Sequence, residues 1–335
     1  MEIAAFVEGR RPRWQQLEAL LTKADGTGLS SLKLEEAQNL SRLYRAASSD
    51  LLQVRAHGGA SEVAAYLNDL VARAYALTYP GRSARLSDVR RFLARGFPDV
   101  LARHWRPVAA AALIFLAGSA FGWLGMAFDP KAAPYLVPEQ HLKTDPLERA
   151  KEEANREVAD VENQAAFTSF LFTNNIQVAF LAFALGLTAG VGTAIVLFFN
   201  GIFLGSLAWV YASKGMAGWF WAWILPHGIP ELTAIFIGGG AGFVLARALV
   251  APGGLSRRAA LRREAPDALL LVLGTLAIFV LAGFIEGTIS QIHPPKLSVG
   301  FKVSFALAVG AGVYAYLLSG LRRARRAEDA ARLEA

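Results

Sequence analysis

Apolar residues along this chain follow two patterns, and the change from one to the other divides it. Up to about residue 106, apolar positions recur at three- and four-residue spacing among charged ones. Leu34, Ala37, Leu40, Leu43, Tyr44, Ala47 and Leu51 thus mark one face of a helix. Three helices are expected between Pro12 and Tyr79, with loops around Gly26–Gly28 and Gly58–Gly59, forming a small helical bundle over residues 1–85. In LSDVRRFLARGFPDVLARHW, the residues Leu86, Val89, Leu93, Phe97, Val100, Leu101 and Trp105 oppose Arg90, Arg91, Arg95 and Arg103. That is the pattern of an amphipathic helix, 86–106, lying on a membrane surface. From Pro107 to Phe128 the alternation stops: 22 residues carry no charge, enough at about 1.5 Å per residue to cross a hydrocarbon core about 30 Å thick.

Four further apolar stretches, 166–188, 190–212, 268–288 and 298–320, are long enough to cross. So is the stretch from Trp219 to Val250, although Pro226 and Pro230 interrupt it. Six crossings are expected, with both termini on one side of the membrane. The fold class is all-α: a polytopic membrane bundle of about six transmembrane helices with an N-terminal cytoplasmic helical domain. Its parts are the bundle 1–85, the interfacial helix 86–106, the first span 107–128, a segment 129–165 outside the membrane, a five-helix core 166–320 and a basic tail 321–335.

Charge changes this picture only by orienting it. The 335 residues are 54% hydrophobic and 18% charged, with a formal net charge of +7. The segment 129–165 holds five Lys/Arg against nine Asp/Glu, whereas 251–267 holds Arg257, Arg258, Arg262 and Arg263 and the tail holds Arg322, Arg323, Arg325 and Arg326. Positive residues collect on the cytoplasmic side, so both termini are expected there and 129–165 is expected outside. Glu2, Glu8, Arg10, Arg11 and Arg13 interrupt any apolar core at the start, so export or cleavage of the N-terminus is not expected. The basic excess is then a topology signal and an attraction to anionic headgroups, and nucleic acid is not an expected partner. The chain has no cysteine, which excludes disulfides, thiolate metal sites and Cys nucleophiles.

Polar groups at membrane depth are costly and usually turned inward, so they are the candidate site. They are Asn174 and Asn175 in the second span, Asn200 in the third, His227 and Glu231 in PHGIPEL, Glu286 in GFIEG, and Lys302 at the start of the sixth. All except Asn200, which falls near mid-membrane, can gather in the outer half of the bilayer, with Glu286 and Lys302 expected to pair. The two prolines lack an amide donor and disfavour helix before them, so a broken or re-entrant segment is expected near 224–232. His227, Glu231 and Glu286 would be the ligands of any metal, but neither metal nor cofactor is called for. The motifs HExxH and GxSxG are absent, and no catalytic residue is assigned. Small residues recur at four-residue spacing in Gly118/Gly122, Gly186/Gly190, Gly201/Gly205 and Gly238/Gly242, which lets helices approach closely within one chain or between the two chains of a homodimer.

The runs FLFTNNIQVAFLAFALGLTAGVGTAIVLFFNGIFLG, ILPHGIPEL and GFIEG, in that order, resemble the membrane family of stage II sporulation protein M. The N-terminal words WQQLEALL, LYRAASSDL and YLNDLVARAYALTY are similar to longer, non-sporulation members. The resemblance spans residues 6–320 and is most specific at Asn174–Asn175, Asn200–Gly201, His227–Gly228, Glu231 and Glu286. It implies a non-enzymatic scaffold in the bacterial plasma membrane, because the sporulation member anchors two peptidoglycan hydrolases that act outside the membrane. The partners so implied are membrane lipids, a second copy of the chain, and extracytoplasmic cell-wall hydrolases or other membrane proteins. The polar cluster around His227, Glu231 and Glu286 also admits a proton-coupled permease or an intramembrane hydrolase, and the short basic interfacial helix with a compact core admits a membrane-shaping protein that bends the bilayer around a dimer.

Overall fold

The computed structural model describes residues 3–25, 29–56, 61–78, 85–137, 139–142, 145–155, 161–292 and 296–334. The loops expected at Gly26–Gly28 and Gly58–Gly59 lie outside the described residues. Among the described residues every regular element is helical. The chain divides between Arg85 and Leu86 into two compact units.

The first unit holds α1 (Ile3–Ala24), α2 (Leu34–Ala56) and α3 (Ser61–Thr78). Their apolar faces meet around Trp14, Leu17, Leu40, Leu43, Leu67 and Leu70, all buried. Pro12 does not start α1 but lies inside it. The carbonyl it leaves without a donor belongs to Glu8, which is exposed and free to meet water. Asp50 is fully buried in this unit, where it accepts a 2.9 Å hydrogen bond from Trp14 Nε1 and pairs with Arg10.

The second unit starts with α4 (Leu86–Arg91), a single π-helical turn (Phe92–Gly96) and α5 (Phe97–Arg103). The expected interfacial helix is thus two pieces. Leu86 and Val89 are exposed, but Phe97, Pro98 and Val100 are buried, with the Phe97 ring against Gly274. Arg103 makes a forked contact with Asp267, which His104 Nε2 also reaches at 2.9 Å.

The α6 helix (Trp105–Phe128) is followed by the short helices α7 (Ala133–Leu136), α8 (Glu139–Leu142) and α9 (Pro146–Asn155). The bundle continues with α10 (Val161–Ala184), α11 (Val191–Ser213), α12 (Ala217–Val250), α13 (Arg257–Glu286) and α14 (Val299–Leu317), and α15 (Ser319–Glu334) forms the tail. Among the described residues five helices are long and apolar enough to cross a membrane: α6, α11, α12, α13 and α14 with its extension. The expected second crossing falls on the 24-residue α10, part of whose side chains lie outside the described residues.

Packing in this unit is backbone against backbone. A Cβ added at Gly118 or Gly122 of α6 would collide with the carbonyl of Phe198 or Ile202 on α11, and one added at Gly201 or Gly205 would collide with Phe115 or Ser119 on α6. Gly186 and Gly242 meet in the same way, and Gly238 sits against Ala179. Gly190 serves the turn between α10 and α11 at φ +84°. The four glycine pairs are therefore spent inside the chain and supply no face for a second copy.

The α12 helix is the axis of the bundle, packed by α6, α10, α11, α13 and α14. It runs unbroken for 34 residues through Pro226 and Pro230, which corrects the expected break. Proline removes one donor each time, and the four-residue spacing confines the loss to the carbonyls of Ala222 and Pro226 while the rest of the helix stays bonded.

Candidate functional site

The sequence-predicted residues converge from four helices on one cavity of about 180 Å³. Its wall takes Asn175 from α10, Asn200 from α11, His227 and Glu231 from α12, and Glu286 from α13. Four residues, about one turn, separate His227 from Glu231 on unbroken helix, so both project to the same side. Beyond Glu231 the same helix enters the apolar core at Ala234, Ile235, Ile237 and Ala241, all buried, which fills the space toward Val250.

Inside the cavity Asn175 Nδ2 donates to Glu231 Oε2 at 2.6 Å, and His227 Nδ1 lies 2.8 Å from Ser290 Oγ. Asn200 Nδ2 donates to its own helix at Val196 O. Glu231 and Glu286 are 5% and 1% exposed, yet Glu231 Oε1 and both carboxylate oxygens of Glu286 have no hydrogen-bond partner. An uncompensated buried carboxylate costs several kcal/mol on general grounds. Burial with no partner is therefore the chemical signature of this cavity.

Two expectations are corrected. Asn174 is exposed and lies outside the cavity wall. Lys302 is fully buried but does not bond to Glu286: its ammonium donates to Ser290 O at 2.9 Å and Ile292 O at 3.0 Å. The short turn before α14 presents these carbonyls to Nζ, and they take the charge that the sequence suggested would meet the carboxylate. Among the described residues no group of three His, Asp or Glu side chains is placed to hold a metal ion.

Sequence reasoning missed the cover of the cavity. His141 of α8 completes its wall beside Trp223 and Phe115. The Arg149 guanidinium lies 5.6 Å from the Trp223 ring centroid and reaches His141 Nδ1 at 3.4 Å and the Tyr211 hydroxyl at 3.5 Å. Burial, with Arg149 beside it, holds the His141 imidazole down to about 4. The segment is pinned by Asp145, which pairs with Lys214 at 3.0 Å. The Leu147 N–H and the Lys214 ammonium hold that carboxyl below its ordinary range. Val137 is buried with Leu207, Tyr211, Phe220 and Trp223. A signal for this cover existed in the run Trp219-Phe220-Trp221, but its partner was hidden in a segment that reads only as charged.

Fold and site together define a polytopic α-helical membrane protein with a small, mainly apolar cavity into whose wall two carboxylates are set. Residues 111–291 match the family model described as Stage II sporulation protein M, more than half of the chain, and the chain belongs to that family. Residues 4–80 match a second family, described as Domain of unknown function (DUF8413). An uncharacterized protein of Methanocaldococcus jannaschii, MJ0793, is 35% identical over 131 residues, covering 37% of this chain and 70% of that protein. No solved structure matches.

Proposed function

We propose that this protein takes up a proton or a small monovalent cation in the cavity around Glu231 and Glu286, as the binding step of a proton- or cation-coupled permease. The observation that carries this reading is a pair of buried carboxylates, Glu231 and Glu286, that line one cavity and leave three oxygens without a partner. A positively charged occupant of a few atoms removes their desolvation cost, and Asn200 and Asn175 add neutral polar atoms around it. The cavity, about 180 Å³, has room for ions and a few waters and falls short of the usual organic-ligand pocket of about 300–1,000 Å³. Arginines at 257, 258, 262 and 263 favour the opposite side as cytoplasmic, so the cavity would load from outside, under the 129–155 segment.

Purified protein in liposomes containing a pH-sensitive dye, with a potassium or sodium gradient, tests this reading. Wild type should carry flux at least tenfold above empty liposomes, and Glu231→Gln and Glu286→Gln should each remove most of it. Equal flux in all three would end the reading.

A second reading, a non-enzymatic scaffold for cell-envelope partners in a bacterial plasma membrane, is favoured by the short helices within 129–137 and 145–155, on which Asp129, Glu148 and Lys151 are exposed. Family membership supports it too. Crosslinking in native membranes through Glu148→Cys should then recover the same envelope protein repeatedly, and recovery of none would count against it.

A further inference from the structure

A second feature lies away from the cavity, where α4 and its π-helical turn meet α13 and α14. A cleft of about 550 Å³ is walled there by Val89 and Leu93 on one side and by Ala277, Ile278, Leu281 and Val313 on the other. It is almost wholly apolar. From Gly274 to Leu281 it follows α13 for about 10 Å, within the apolar stretch that starts at Ala268. It adjoins a second hollow lined by Arg90, Arg91 and Arg95 together with Asp88 and Asp99, the latter taken up by Arg323, and the two hollows share Leu86, Arg90 and Ala94.

The three arginines differ from their neighbours. Arg103 is paired with Asp267 and Arg323 with Asp99, the latter at 2.7 Å. No side-chain hydrogen bond or ion pair engages Arg90, Arg91 or Arg95 among the described residues. Beside them Leu86 is 85% exposed. Unpaired cations next to an apolar cleft that follows a membrane-spanning helix match one kind of ligand in both charge and polarity.

We propose that this place is a site for an anionic phospholipid, with an acyl chain in the cleft between the 86–96 segment and α13/α14 and the phosphate on Arg90, Arg91 and Arg95. A single acyl chain has the slender apolar shape the cleft offers, and guanidinium groups hold phosphate by paired N–H donors. The site fixes the 86–96 segment to the leaflet that carries the acidic lipid, and Tyr316, whose hydroxyl donates to Leu93 O, closes one end of the cleft.

The test uses the full chain in detergent, titrated with phosphatidylglycerol and with phosphatidylcholine of the same acyl chains and followed by native mass spectrometry. Each basic residue near an acidic headgroup contributes about fivefold, so the three together should give a preference for phosphatidylglycerol on the order of a hundredfold. The triple variant Arg90→Gln, Arg91→Gln, Arg95→Gln should bind both lipids equally. Ala277→Trp, which fills the cleft, should lose both while the melting temperature stays near wild type. Inorganic phosphate at millimolar concentration should not displace the lipid. Equal binding of the two lipids by wild type would overturn the site, as would retention of phosphatidylglycerol by both variants or displacement by free phosphate. Should Ala277→Trp unfold, Ala94→Phe on the opposite wall replaces it, with the same loss expected; should the triple variant unfold, Arg91→Gln alone replaces it, with a preference reduced about fivefold.

Discussion

Two buried carboxylates in this chain have the same exposure and opposite surroundings. Asp50, in the three-helix unit, is fully buried and held by the Trp14 indole and Arg10. Glu286, in the bundle, is 1% exposed and neither of its oxygens is bonded. Folding stability accounts for the first: the pair is a buried ionic contact whose partners complete each other. It does not account for the second, whose burial costs free energy and returns no hydrogen bond. On general grounds an ionisable group left so inside a membrane bundle marks a candidate functional site, which is where the cation proposal places its occupant.

The largest expected effect breaks the comparison at its satisfied end. Asp50→Ala leaves the Trp14 donor and the Arg10 charge without their acceptor and should cost the first unit about 3 kcal/mol, toward the low end for a broken buried pair because Arg10 is partly exposed. Hydrogen exchange of α1 and α2 in the full chain would measure it. Glu286→Gln removes a buried carboxylate and breaks no hydrogen bond, so the melting temperature of the bundle should hold or rise. A large loss there would show that Glu286 is structural.

Packing sharpens the contrast at a smaller scale. The three-helix unit joins leucine to leucine, whereas α6 and α11 join glycine to carbonyl. Gly205→Val should destabilise the bundle by about 2 kcal/mol through overpacking against Ser119, read as a lower melting temperature in detergent. The smallest effect concerns the cover. With His141 at about 4 in place of an ordinary 6.5, the open segment takes up a proton that the closed one refuses. Stability present above pH about 6.5 is lost as the pH falls toward 4. A fluorescence melt should show this slope in wild type and not in His141→Phe.

Much of the fold is legible in the sequence because a bilayer leaves few choices. Long uncharged runs such as 107–128 must be helices, since the backbone there finds no other hydrogen-bond partner. The membership of the stage II sporulation protein M family is likewise carried by words such as TNNIQ and PHGIPEL. Proline rules misled at Pro226 and Pro230, because propensities measured in water penalise a lost donor that neighbouring helices tolerate at membrane depth. The Glu286–Lys302 pairing failed for a related reason: opposite charges close in sequence say nothing about which carbonyls a turn will offer.

By itself, then, the sequence determined that the chain is helical, that it is a membrane protein of this family, and which polar residues interrupt or border its long apolar stretches. Each follows from local composition and periodicity. Only the tertiary structure decided that Asn175, Asn200, His227, Glu231 and Glu286 share one cavity while Asn174 and Lys302 do not, and that His141 helps to enclose it. Those relations depend on helix rotation and on contacts between residues far apart in the chain, set where glycine lets one backbone lie against another.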